Sequence, residues 1–250
     1  MRRILVIGIG AGDPAYMTVQ AVDALRRADV VFELARDTED LTALRREISA
    51  AHHVPARVVV IAEPHRDREA ADYARAVQKW RDARADAWEA AIAGELDEGA
   101  TGAFLVWGDP SLYDSTIAVL AELRDRGRVT FTTEVIPGVS SLHALTARHG
   151  ITLNRVAGAV QITTGRRLAE HGLPDGVADV AVMLDGRCAF IGISEPGLEI
   201  FWGAYLGTPD EVLISGPLAE VAAEIVRVRA EARERRGWVM DTYLLRRAAE

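Results

Sequence analysis

Short apolar runs and longer segments of mixed polarity alternate through the first half of the chain. The runs over 3–9, 29–33, 57–61, 102–107 and 129–136 are rich in Val, Ile, Leu and Phe, as expected of strands buried on both faces of a parallel sheet. Segments 17–27, 40–52, 69–96 and 117–123 read as helices, and a further helix starts at Ser140 or Ser141 and runs through Leu145. Past that point the alternation stops. Strands over 160–164, 180–184, 199–206, 211–215 and 238–244 follow one another, with one long helix over 218–234 before the last. The pattern therefore predicts two lobes: an N-terminal α/β lobe over 1–138 with a mostly parallel sheet, and a C-terminal α+β lobe over 139–250 with a mixed sheet.

Three of the first-half strands end in glycine and proline. The first runs into Gly8-Ile-Gly-Ala-Gly-Asp-Pro14, the fourth into Trp107-Gly-Asp-Pro110, and the fifth into Pro137-Gly138. After the fourth strand, Asp114, Ser115 and Thr116 offer N-cap oxygens to the next helix. Ligands of open α/β sheets bind outside the carboxyl ends of the strands, so the stretch 104–116 reads as the floor of a binding site. The first loop invites a dinucleotide-binding reading, with Glu33 closing the second strand. Its glycines are spaced G-x-G-x-G, however, and Asp13 stands where the dinucleotide fingerprint has its third glycine.

Composition narrows the chemistry. With 49% hydrophobic and 26% charged residues the chain is globular in character, and no stretch approaches 18 uninterrupted apolar residues. The first residues enter a strand pattern directly, so a cytoplasmic protein without a membrane partner is expected. A net charge of −8 argues against nucleic acid as a partner. Cys188 is the sole cysteine and is expected to pack as a small hydrophobe, and His52, His53 and His65 show no metal-ligand spacing, so no metal is expected. Lys79 is the sole lysine; the arginines suit bidentate carboxylate recognition. Thr163-Thr-Gly-Arg-Arg167, after a strand end, fits either an anion clamp or a solvated surface. On segment 69–96, Trp80, Tyr73 and Trp88 fit core contacts, while charges such as Asp86 and Glu89 fit a solvated face.

Taken together, Gly8-Ile-Gly-Ala-Gly-Asp-Pro14, Gly108-Asp-Pro110, Val135-Ile-Pro-Gly-Val-Ser-Ser141 and Gly216-Pro-Leu218 resemble the tetrapyrrole methylase family in order and spacing along nearly the whole chain. The resemblance implies the class III S-adenosylmethionine methyltransferase fold, two lobes with the active site in the cleft between them, and commonly a homodimer. The stretches 106–116, 162–168, 182–186, 202–211 and 237–245 are similar to the branch that methylates precorrin-5 at C1 and releases acetate. Another precorrin C-methyltransferase, a NAD-dependent oxidoreductase and a tetrapyrrole carrier remain rivals.

By the same resemblance, S-adenosyl-L-methionine is expected against Trp107, Gly108, Asp109 and Leu112, with Ser115 and Thr116 near its amino-acid end. Ser140, Ser141, Leu184, Ala204 and Pro217 complete the expected cofactor set. Gly10 and Gly12 fall on the substrate side, and Arg155, Arg166, Arg167 and Arg246 are candidates for clamping the carboxylates of precorrin-5. Deacetylation needs a general base, for which Asp13 is the first candidate, ahead of Asp185 and Tyr113. Three departures from the common family pattern stand out: Ala11 in place of proline, Trp107 in place of a small residue, and Asp114 where a glycine often stands.

Overall fold

The computed structural model describes residues 1–35, 39–52, 56–64 and 73–248, and their side chains except at 39–42, 44, 49, 73, 74 and 77. Tyr73 as a core contact, and His53 and His65, thus lie outside the described side chains. The chain falls into two compact units, Met1–Val139 and Ser140–Glu250.

In the first unit the order is β1 (Arg2–Gly8), a 3-10 turn (Pro14–Tyr16), α1 (Val19–Arg26), β2 (Val30–Ala35), α2 (Glu39–Ala51), β3 (Arg57–Ala62), α3 (Tyr73–Glu95), β4 (Thr101–Val106), α4 (Thr116–Arg126) and β5 (Phe131–Ile136). The sheet runs β3-β2-β4-β1-β5, and every pairing is parallel. Both faces are covered, which is why β1 and β4 are apolar without alternation. Ile4, Phe32, Phe104 and Val106 meet Trp88 and Ile92 of α3 and Leu120 and Leu123 of α4. Leu5, Ile7, Val31 and Ala103 meet Ala21 and Leu25 of α1 and Ile48 of α2. Trp88 is fully buried and stacks on Phe104 with ring centroids 4.3 Å apart.

The solvated-face reading of α3 holds for Asp86, which is exposed, and fails at Glu89. Glu89 is buried, and its Oε2 accepts a bond of 3.3 Å from Arg128 Nη1. A helix packed against both a sheet and a neighbouring helix buries more than one stripe, so charge spacing alone does not mark its solvent face.

The second unit runs α5 (Ser141–His149), β6 (Val160–Thr164), α6 (Gly165–His171), β7 (Asp179–Met183), a 3-10 turn (Ala189–Gly192), β8 (Glu199–Ala204), β9 (Val212–Pro217), α7 (Leu218–Arg236) and β10 (Asp241–Arg246). Its sheet is mixed, ordered β6-β7-β10-β8-β9, with only β6 and β7 parallel. Leu168 of α6 and Leu218, Ile225 and Ala232 of α7 pack on one face. On the other, α5 approaches so closely that a Cβ at Gly203 would lie 2.8 Å from Leu145 Cδ1. Cys188 is buried beside the first of these faces, and that burial raises its thiol pKa, consistent with a packing role.

Helix α6 is an element the hydrophobic pattern does not announce. Its seven residues contain a single large apolar side chain, Leu168, so no helical period is visible; Thr164 Oγ1 caps it by accepting from Arg167 N at 3.4 Å.

Candidate functional site

At the carboxyl ends of β4, β1 and β5, three loops meet through glycine. A Cβ on Gly138 would stand 2.1 Å from Gly108 O, and one on Gly8 would stand 2.6 Å from Gly138 N, so neither position has room for a side chain. Gly108 N donates to Gly10 O at 2.9 Å, and Gly10 N donates back to Gly108 O at 3.4 Å. Asp109 fastens the third loop: its Oδ2 accepts from Gly138 N at 2.9 Å, while Oδ1 accepts from Ser111 N at 2.9 Å and from the Ser111 hydroxyl. The carboxylate of Gly-Asp-Pro is thus a loop staple. Gly10 and the buried Gly12 lie in the same knot, and Asp13 Oδ1 accepts from Ala15 N at 2.8 Å as the cap of the 3-10 turn. The structure therefore brings together, at one sheet edge, the loops carrying Gly10, Gly12 and Asp13 and those carrying Gly108, Asp109 and Leu112.

Of the three oxygens that the cap pattern offers at the start of α4, one makes the capping bond. Asp114 Oδ1 accepts from Thr116 N at 2.6 Å and so supplies the cap, whereas Ser115 makes no capping bond. Ser115 Oγ instead accepts from Arg84 Nη1 at 2.7 Å. Arg84 is buried, its Nε donates to Glu63 Oε1 at 2.7 Å, and its guanidinium lies 4.8 Å from the Trp88 ring and 5.5 Å from that of Trp80. With Arg84 donating to its oxygen, the Ser115 hydroxyl proton is left to point at another acceptor. Tyr113, two residues before, is 45% exposed with φ 53°, a left-handed backbone that a tyrosine rarely adopts. Thr116 is buried.

In the second unit the sheet register sorts the candidate residues into two ends. Thr164, Met183, Thr242 and Gly203 lie level across β6, β7, β10 and β8. Leu184, Ala204, and the start of α6 with the exposed Arg166 and Arg167 follow at that end. Ala204 is fully buried; Leu184 is 66% exposed with φ 54°. Asp185 is 5% exposed and enclosed by donors: Arg187 N at 3.0 Å on Oδ1, Ala189 N at 2.6 Å and the Tyr243 hydroxyl at 2.7 Å on Oδ2. Burial, then the neighbouring Asp185 charge, pushes the Tyr243 phenol pKa far up, so it stays a donor.

The opposite end carries Asp179, Arg246, Glu199 and Pro217, level across β7, β10, β8 and β9. Arg246 Nε donates to the fully buried Asp179 at 2.6 Å and its Nη2 to Thr152 O at 2.7 Å. Arg155 gives its backbone N to Asp179 Oδ2 at 3.2 Å and its guanidinium to the carbonyl of Arg247. Four rungs of strand, roughly 13 Å, separate Thr242 from Arg246. The four arginines expected to form one clamp thus split into an exposed pair and a structural pair, and Pro217 does not join Leu184 and Ala204. Ser140 is the buried N-cap of α5, its Oγ accepting from His143 N at 3.3 Å, and Ser141 is the first residue of that helix.

Residues 3–222 match the family model of Tetrapyrrole (Corrin/Porphyrin) Methylases. The chain belongs to the tetrapyrrole methylase family. Precorrin-6A synthase [deacetylating] of Sinorhizobium sp is 50% identical over 255 residues, covering 100% of this chain and 97% of that protein. Precorrin-2 C(20)-methyltransferase of the same source is 28% identical over 190 residues, 74% of each chain. Among solved structures, a protein described as cobalamin-synthesis related (CobF) from Corynebacterium diphtheriae superposes with TM-score 0.87 at 37% identity over 100% of both chains. Uroporphyrin-III C-methyl transferase from Thermus thermophilus, solved with S-adenyl homocysteine, superposes with TM-score 0.61 at 20% identity over 97% of this chain and 91% of that one, a likeness of fold.

In this tetrapyrrole methylase the strand alternation accounts for where the Trp107 side chain goes. Ala103, Leu105 and Trp107 share the α1/α2 face of the sheet, so the indole packs into that core with the Arg45 guanidinium 5.5 Å from the ring. The residues that sequence reasoning missed are Arg84, Tyr243, Gly138 and Gly165. The contacts made by these four, to Ser115 and Glu63, Asp185, Gly108, and Asp185 respectively, all lie 20 or more positions away in the chain.

Proposed function

We propose that this tetrapyrrole methylase is an S-adenosylmethionine-dependent precorrin-6A synthase (deacetylating), which methylates C1 of precorrin-5 and releases acetate. The observation that carries this reading is the 50% identity with the Sinorhizobium enzyme across essentially both full chains. Cofactor use is supported in each unit by itself: the first has half-buried Leu112, backbone loops at Gly108 and Asp109 and a Ser115 hydroxyl oriented by a buried cation, and the second has the exposed apolar Leu184. When bound, S-adenosylmethionine supplies an electrophilic methyl group for a nucleophilic ring carbon. The protein's part is orientation, which needs no catalytic triad.

In this reading Ser115 donates to the cofactor's carboxylate, with Arg84 behind it, and Leu184 contributes an apolar wall. Ser140 acts through the helix start it caps, the buried Thr116 as the first residue of α4, and Trp107 from beneath the loop. Arg166 and Arg167 bind peripheral carboxylates of the macrocycle, while Arg155 and Arg246 hold the frame around Asp179. For deacetylation, water adds to the acetyl carbonyl as a base takes its proton, the bond from that carbon to the ring breaks with its electron pair left on the ring system, and acetate leaves. Asp13, half-buried and capping through one oxygen, is the better base than the enclosed Asp185. The exposed Tyr113 phenol suits the oxyanion. The family resemblance also supports a homodimer.

The test is incubation with precorrin-5 and methyl-labelled S-adenosylmethionine. One labelled methyl and one acetate per turnover are expected. Methylation without acetate would reassign the protein to a different ring position, and label retained on the cofactor would make it a carrier.

A further inference from the structure

We infer that Asp185, held by Tyr243, is a positioning residue: it fixes the strained turn that presents Leu184 and ties this turn to the start of α6. The inference rests on the proposed cofactor site and concerns residues not otherwise given a part in it. Leu184 is 66% exposed and left-handed at φ 54°, and Cys188, four residues on, is left-handed at φ 55°. Holding a leucine in that region costs free energy, and an apolar side chain pushed into solvent returns none of it to the fold. Such strain persists only where its surroundings over-determine it.

The surroundings here are the donors on Asp185. Between the two left-handed residues, its carboxylate takes Arg187 N at 3.0 Å, Ala189 N at 2.6 Å and the Tyr243 hydroxyl at 2.7 Å. Its backbone carbonyl takes Arg229 Nη2 at 2.8 Å, and Arg229 is itself fixed by Asp241 at 2.9 Å. Every atom of Asp185 that can accept is thus tied to β10, α7 or the turn itself. On the other side lies Gly165, the first residue of α6, where a Cβ would fall 2.3 Å from Asp185 Cγ. The Leu184 turn and the helix start bearing Arg166 and Arg167 therefore touch through one carboxylate. Displacing it moves the cofactor wall and the proposed substrate clamp together.

The experiment is calorimetric titration of S-adenosylhomocysteine into the full-length protein and its Tyr243→Phe, Gly165→Ala and Leu184→Gly variants, with thermal unfolding and steady-state kinetics alongside. Tyr243→Phe, through the loss of one buried hydrogen bond, and Gly165→Ala, through the clash of its Cβ with the Asp185 carboxylate, are each expected to weaken cofactor binding about five- to tenfold and to raise the KM for the tetrapyrrole as well. Leu184→Gly is expected to weaken binding similarly while its Tm holds or rises, because glycine relieves the left-handed backbone and the side chain is exposed, so folding is not at risk. If Tyr243→Phe and Gly165→Ala lower Tm but bind the cofactor as the parent does, the network serves the fold alone and the inference is overturned. Unchanged binding by Leu184→Gly overturns it equally. No binding by the parent would overturn the cofactor reading, and this inference with it.

Discussion

His149 sits edge-on to Phe201, ring centroids 5.6 Å apart, with Nε2 3.0 Å from the carbonyl of Trp202. A carbonyl only accepts, so Nε2 carries the hydrogen. Burial lowers the histidine's pKa below its ordinary 6.5, outweighing the carbonyl bond and the charge of Glu211, which act the other way. Above pH 6.5 both folded and unfolded forms are neutral here and the group contributes no pH dependence. As pH falls below that value the unfolded chain takes up a proton that the folded chain resists, so stability drops until pH passes the lowered folded pKa. Urea unfolding between pH 7.5 and about 5 should show this loss. In His149→Gln, which can still donate to Trp202 but does not titrate, that component of the slope should vanish; an unchanged slope would assign it elsewhere.

The elements differ in how far the chain announces them. The parallel sheet was legible because a strand covered on both faces must be apolar throughout, as 102–107 is, and the second sheet because its strands follow one another without intervening long helices. Helix α6 was not legible, since a cap and two intrahelical turns need no apolar stripe. The site was half legible. Gly8 to Gly12 and 135–141 both drew attention as motifs, yet neither showed that Gly138 makes the contact that joins the three loops. A close approach between backbones far apart in sequence leaves no local trace. Gly138→Ala should therefore cost about 2–3 kcal/mol, because its Cβ meets the Gly108 carbonyl at 2.1 Å and a backbone atom cannot give way. Gly94→Ala is the control: it lies in α3 with nothing within 4 Å of the new Cβ, and should stabilise by about 0.5–1 kcal/mol. Equal effects of the two substitutions in chemical denaturation would remove the close-packing account.

Across the molecule, a net charge of −8 must coexist with binding of a polycarboxylate, and the buried ion pairs show how. Asp179 takes Arg246, Asp241 takes Arg229 and Glu63 takes Arg84, so these shielded carboxylates are each matched by an arginine that is thereby committed to the fold, whereas the buried Asp185 is held by backbone N–H groups and Tyr243. Arginine count alone could not separate committed cations from available ones, which is why Arg155, Arg166, Arg167 and Arg246 looked alike in the sequence. Their fates should separate on substitution. Arg246→Ala leaves the fully buried Asp179 without its charge partner and should cost about 3–5 kcal/mol in urea unfolding. Arg166 has a side chain 80% exposed and, among the described residues, a single ion-pair contact, 3.9 Å from Glu170. Arg166→Ala with Arg167→Ala should therefore change stability by no more than about 0.5 kcal/mol per substitution. The same double substitution should raise the KM for the tetrapyrrole about tenfold or more, as expected for lost charge-assisted hydrogen bonds, and leave cofactor affinity near that of the parent. A tetrapyrrole KM that stays constant in this variant would transfer the clamp to other residues, and a parallel loss of cofactor affinity would mean that the start of α6 shapes the cofactor site and not the substrate's.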